Sequence, residues 1–248
     1  MSDDGPVSES RRTEESGSTG EIEIPATEAS AVTALDLVVT VVVAEPDEAR
    51  AERIAGALRD TPGVEVLEVA SSDEDAINAV LELAPAVTLV CTDPTEGVDG
   101  RTVCLVLADK LATTAVVASS ATEDANLYAA LRTGARSSVL HQADDEVLRS
   151  VVTGVRRQEA NLGPGACTWL RAELAHLADD PDALVPPIPL DDTEAEVLDR
   201  RVRGDDWETI AHDNELTLHL VRAACGTALA KLHRALRADR ALKLIRTA

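Results

Sequence analysis

The sequence predicts an α/β fold: a doubly wound, five-stranded parallel sheet followed by a small all-helical domain. Three observations carry this. Five strand–helix alternations follow one another in about 120 residues. Leu37 to Val43, LVVTVVV, is a continuous apolar run without polar alternation, as a strand buried on both faces requires. The chain has no Phe and only 1% aromatics within 45% hydrophobic residues, so the core must be Val, Leu, Ile and Ala.

The elements follow in order. After the strand at 37–43, Asp47 to Arg59 has helical spacing in Ala51, Ile54, Ala55 and Leu58. Val64–Val69 is the second strand and Glu74–Leu83 the second helix. Val87–Cys91 is the third strand, leading into a loop with Pro94, Gly97 and Gly100. Thr102–Leu111 is helical, Ala115–Ser119 a strand, Ala121–Arg132 a helix, Ser137–Leu140 a strand and Asp145–Arg157 a helix. Gly163-Pro164-Gly165 breaks the chain before a linker helix at Cys167–Leu177. Asp179–Pro189, with four prolines, is a joint. Residues 190 to about 247 are helical, broken near Gly204 and Asp213–Glu215.

Residues 1–36 hold nine acids against two arginines and are rich in Ser, Glu, Gly and Thr, the composition of a disordered acidic tail. The division is therefore a tail at 1–36, a sheet domain at 37–160, a linker at 161–189 and a helical domain at 190–248. The net charge of -22 argues against a chain that coats nucleic acid or anionic membrane over its whole surface. Residues 220–248 are the exception, with seven bases against Asp239 alone. Cys91, Cys104, Cys167 and Cys225 lack metal-finger spacing and read as reduced, mostly buried thiols. No apolar leader precedes the domain, and the strongest apolar run, Leu35–Ala44, contains Asp36. A cytoplasmic protein without membrane contact is expected.

Residues 129–141, AALRTGARSSVLH, resemble the penultimate helix and last strand of bacterial response-regulator receiver domains, written "ALRaGArGYLLK". The resemblance runs from about Leu37 to Glu159. It implies a phosphorylation pocket at the strand carboxyl ends, and here that pocket is altered. Ala44 and Glu45 stand where the family keeps two Mg²⁺-binding acids, and Cys91 stands where its phosphoacceptor Asp ends the third strand. Asp93 lies two residues on. Ser119 matches the family's Thr or Ser, Ser138 its aromatic switch residue, and His141 its Lys. Phosphoryl transfer needs a carboxylate nucleophile and a metal held by oxygen. A degenerate pocket of Glu45, Cys91, Asp93, Ser119 and His141 is thus implied, in a pseudo-receiver that aspartyl phosphorylation does not control. A Cys beside a His is an activated thiolate, half of a soft-metal site, or a relict pair that satisfies itself. The expectation is no catalytic residue, no metal and no cofactor.

Residues 190–248 resemble, without a gap, the LuxR-type helix-turn-helix that ends NarL-like response regulators. LDDTEAEVLDRRVRG and TIAHDNELTLHLVRAACGTALAKLHRALR carry the likeness through Leu190, Glu194, Glu196, Val197, Leu198, Gly204, Ile210, Ala211, Val221, Lys231, Leu232 and Arg237. The resemblance implies that Thr217 caps a recognition helix with Val221 and Leu229 on its buried face. It makes Arg222 a base-reading residue in the major groove, and Lys231, Arg234 and Arg237 phosphate contacts. Ala224 replaces the usual His, and Gly226 replaces a residue that is often polar or basic. The expected function is an atypical, phosphorylation-independent DNA-binding transcription regulator. Its receiver-like half would form a homodimer, or a heterodimer with a related regulator. The alternative is an interaction module that modulates another regulator without binding DNA.

Overall fold

The computed structural model describes residues 38–93, 100–110 and 114–247. The acidic tail, Pro94, Gly97 and Leu111 lie outside the described residues. Five strands, β1 (Val39–Ala44), β2 (Val64–Ala70), β3 (Val87–Cys91), β4 (Ala115–Ser120) and β5 (Ser137–Leu140), form one parallel sheet in the order β2-β1-β3-β4-β5. The doubly wound class is as the sequence predicts. The order reverses between β1 and β3, so the crevice at a topological switch point lies beyond Ala44 and Cys91.

Helices α1 (Glu48–Arg59), α2 (Asp73–Leu83), α3 (Gly100–Lys110), α4 (Ala125–Thr133) and α5 (Asp145–Gly154) alternate with the strands. Acceptor side chains define several starts: Asp47, Ser72, Asp124 and Asp144 each bond an amide of their own first turn. The cap at Asp124 moves the start of α4 from the expected Ala121 to Ala125. Alternate strand residues face opposite layers. Val41, Val43, Leu89 and Val117 pack with Ile54, Leu58, Leu148 and Val152 of α1 and α5. Val42, Ala44, Val90, Val116 and Ala118 face the layer that holds α2, α3 and α4.

That second layer does not stop at the sheet. It continues through Ala160 and Leu162 into α6 (Pro164–Asp179), α7 (Asp192–Arg203), α8 (Trp207–Asp213) and α9 (Leu218–Thr247). Residues 37–248 accordingly form one compact unit. The Gly163-Pro164-Gly165 break proves to be the start of α6, with Pro164 in its first turn, where the missing N–H is no loss. Helix α5 ends at Gly154 in a 3₁₀ turn at Val155–Arg157, short of the expected single helix to Arg157. Asp191 and Glu194 form a reciprocal capping box on α7, and Gly204, with φ 95°, closes it in the left-handed conformation.

Candidate functional site

The pocket at the strand ends contains the groups that the sequence places there. Glu45 directly follows β1, and its carboxylate is fully buried. Oε1 accepts from the Asp47 amide (3.0 Å) and from Arg50 Nη2 (2.8 Å), while Oε2 accepts from Arg50 Nε (2.8 Å). Cys91 ends β3 with no exposure, and its Sγ lies 3.9 Å from His141 Nε2. Burial pushes the Cys91 thiol up to about 11, with the Glu45 and Asp93 carboxylates acting in the same direction. Burial, then the Arg50 charge, holds His141 below the ordinary histidine value. The pocket at rest is therefore a thiol beside a neutral imidazole.

Asp93 stands at the rim. Its Oδ2 is 3.5 Å from His141 Nδ1, and its Oδ1 accepts from Ser120 Oγ (2.9 Å) and the Ala121 amide (3.1 Å). The hydroxyl that meets Asp93 is thus that of Ser120. Ser119, singled out from the sequence, is buried in register with Cys91, and its carbonyl accepts from the Thr92 amide and hydroxyl. Arg50 is the residue that sequence reasoning missed. Its bidentate grip on Glu45 holds the one carboxylate left at the end of β1, and any cation entering the pocket would share that carboxylate with the guanidinium.

The helical end departs further from expectation. Thr217 is exposed, and its Oγ1 accepts from the Leu220 amide (3.3 Å), as a helix cap should. Val221 and Leu229 are buried as expected. Arg222 is not on the solvent face: it is 8% exposed, and its Nη1 donates to Ser150 Oγ of α5 (2.5 Å). Lys231 donates to Glu194 Oε2 (2.5 Å) and the Pro189 carbonyl (2.7 Å), so its charge is matched within the fold. Only Arg234 and Arg237 of the four expected basic contacts face solvent.

The physical reason is a second buried stripe. Arg222, Gly226, Leu229 and His233 recur at helical spacing along α9 and pack towards the sheet half. The Ala160 amide donates to the Arg222 carbonyl (3.0 Å), and His219 Nδ1 meets Glu159 Oε1 at 2.7 Å. His233 Nε2 donates to the Leu131 carbonyl at 2.6 Å. A β-carbon at Gly226 would lie 1.9 Å from the Gln158 carbonyl oxygen, so only glycine permits this approach. Around the same seam, Trp207 Nε1 donates to Asn161 Oδ1 (3.0 Å), and Arg201 lies over the Trp207 ring while bonding the Leu162 carbonyl.

No family model matches the chain, and no curated protein matches it. Solved structures do. The signal receiver domain of a NarL response regulator from Mycobacterium tuberculosis is 25% identical, with a TM-score of 0.46 over 48% of this chain and 96% of that one. The RcsB response regulator bound to DNA is 18% identical, with a TM-score of 0.48 over 82% of this chain and 98% of that one. ChrA, from a heme-sensing two-component system, is 19% identical, with a TM-score of 0.46 over 82% and 98%. Structural neighbours of this chain are thus response regulators of the NarL and LuxR type. No described helix is long and apolar enough to cross a membrane.

Proposed function

We propose that this chain is a transcription regulator that binds double-stranded DNA through α7–α9, and that aspartyl phosphorylation does not switch it. The observation that carries the DNA reading is the state of Arg222. Its guanidinium is buried, yet Nε has no hydrogen-bond partner. An unsatisfied buried donor costs about 1–3 kcal/mol, and more when charged. The docked arrangement therefore holds a base-reading arginine at a disadvantage that a guanine edge or a phosphate would relieve. DNA binding in this reading requires α9 to leave the sheet half.

Phosphorylation independence rests on the pocket: a thiol ends β3 where the phosphoacceptor carboxylate would stand, and Ala44 leaves Glu45 as the one acid at the end of β1. Acetyl phosphate with Mg²⁺ is expected to leave the protein unmodified by intact-mass analysis. A base- and hydroxylamine-labile acyl phosphate on Asp93 would overturn this part. A dimer, with itself or with a related regulator, fits the exposed Leu242, Leu244 and Ile245 near the end of α9.

A second reading, an interaction protein that does not bind DNA, is favoured by the outward side of α9. Leu220, Ala223, Ala224 and Thr227 line a shallow depression with Leu216, beside Asp191 and Glu194. That surface is largely apolar, with Asp191 at its edge and Glu194 paired with Lys231. In vitro selection from random duplex DNA with the full-length protein, at two salt concentrations, separates the readings. An enriched inverted repeat whose affinity falls steeply with salt supports the regulator. No enrichment at low salt supports the interaction protein.

A further inference from the structure

We propose that Glu45, Cys91 and His141 form a binding site for a borderline-soft divalent transition metal of the Zn²⁺ class. The inference goes beyond the regulator reading and does not depend on what α9 binds. The ends of β1, β3 and β5 bring one carboxylate, one thiol and one imidazole together, with a ligand atom of each within 4.8 Å of the others. These are the three ligand chemistries that zinc accepts, and they are of a kind that Mg²⁺ does not combine.

The spacing is that of a site close to closure. Cys91 Sγ and His141 Nε2 are 3.9 Å apart, long for a thiol hydrogen bond. Zinc bonds of about 2.3 Å to sulfur and about 2.0 Å to nitrogen, at a tetrahedral angle, put those two atoms roughly 3.6 Å apart. For this pair a shift of a few tenths of an ångström would suffice, and Glu45 has a carboxylate oxygen within 4.8 Å of both.

The imidazole is also oriented as a ligand. Asp93 Oδ2 stands 3.5 Å from Nδ1, on the side of the ring away from Cys91, and is itself held by Ser120 and the Ala121 amide. A carboxylate near Nδ1 favours the tautomer protonated there, which leaves the Nε2 lone pair facing the thiol, as in carboxylate–histidine–zinc arrangements. On binding, the Cys91 S–H bond is lost, its proton goes to solvent and the thiolate pair forms the sulfur–metal bond. Among the described residues Glu45 Oε2 accepts only Arg50 Nε, so a lone pair remains for the metal. Three protein ligands leave a fourth position for water.

The test is a Co²⁺ titration of reduced, metal-stripped full-length protein, followed by Zn²⁺ displacement. One equivalent is expected to give a thiolate-to-cobalt charge-transfer band that Zn²⁺ abolishes. Cys91→Ser and His141→Ala are expected to lose the band. Asp93→Asn should retain it with roughly 10- to 100-fold weaker affinity, the usual effect of removing such a supporting carboxylate. Arg50→Gln, which removes a cation competing for Glu45 at the rim, is expected to tighten Zn²⁺ binding. Failure of the wild type to develop the band in excess Co²⁺ would overturn the site. So would a band that survives Cys91→Ser, because its sulfur would then come from another cysteine. Weaker binding by Arg50→Gln would remove Glu45 from the ligand set.

Discussion

Gly226→Ala is expected to release α9 from the sheet half and to raise DNA affinity by about tenfold or more. The added methyl group would stand 1.9 Å from the Gln158 carbonyl oxygen and 3.0 Å from its carbon. Both are backbone atoms, which cannot swing aside as the end of a flexible side chain can. Overpacking of this kind costs about 1–3 kcal/mol. The helix itself gains, since Ala is favoured over Gly in a helix interior by about 1 kcal/mol. The whole penalty therefore falls on docking and not on α9. Lost with it are the bond from the Ala160 amide to the Arg222 carbonyl, the His219–Glu159 pair and the Arg222–Ser150 contact. Each 1.4 kcal/mol removed from the docked state is worth a factor of ten in apparent affinity. Titration of labelled duplex from the selection, with hydrogen exchange at residues 158–161, reads both effects. Glu159→Gln acts from the other side of the seam, leaves α9 unaltered, and is expected to shift affinity in the same direction by less. Faster exchange at the seam without any gain in DNA binding by either variant would sink the DNA reading and leave the interaction protein.

The sheet was legible in the sequence because its strands are read locally: five short Val-containing segments, each followed by a capping Asp, a capping Ser or a glycine. The convergence of Glu45, Cys91 and His141 was legible too, because a doubly wound topology brings strand ends together wherever the side chains come from. Arg50 was not. Five positions after Glu45 it reads as an ordinary helix-surface cation, and nothing local reveals that it turns back on the strand end. The seam was hidden for a related reason. Arg222, Gly226 and His233 form a polar stripe that helical spacing alone assigns to solvent. The partners that make its burial tolerable are Ser150, Gln158 and the Leu131 carbonyl, and the last of these lies 102 positions from His233. Ser119 and Ser120 illustrate the limit at the smallest scale. Adjacent strand residues point to opposite faces, so an offset of one position decides which hydroxyl meets Asp93.

Acidification is expected to destabilise the protein between about pH 6.5 and pH 4, with His233 the largest single identified contributor. Burial, above all, holds its ring down to about 4, and the Arg237 and Arg136 charges act in the same direction, against the bond to the Leu131 carbonyl. Only an N–H can donate to that carbonyl, and the ring is 8% exposed. In the unfolded chain the same ring takes a proton near pH 6.5. Between the two values the unfolded state binds the extra proton, so stability falls as pH drops through the window and the loss levels off below about pH 4. The full span is worth about 3 kcal/mol. His141, also held low by burial, adds to the slope with the same sign. Denaturant titrations from pH 7.5 to pH 4 on the wild type and His233→Gln measure the effect. The variant, less stable at neutral pH for want of the ring's packing, should lose less on acidification, so the two curves converge. Parallel curves would mean that His233 titrates in the folded protein as it does in the open chain. The convergence would instead mark the α9–α4 contact as one that favours histidine in its neutral form, because the ring is buried and the Arg237 and Arg136 charges oppose a third cation beside them.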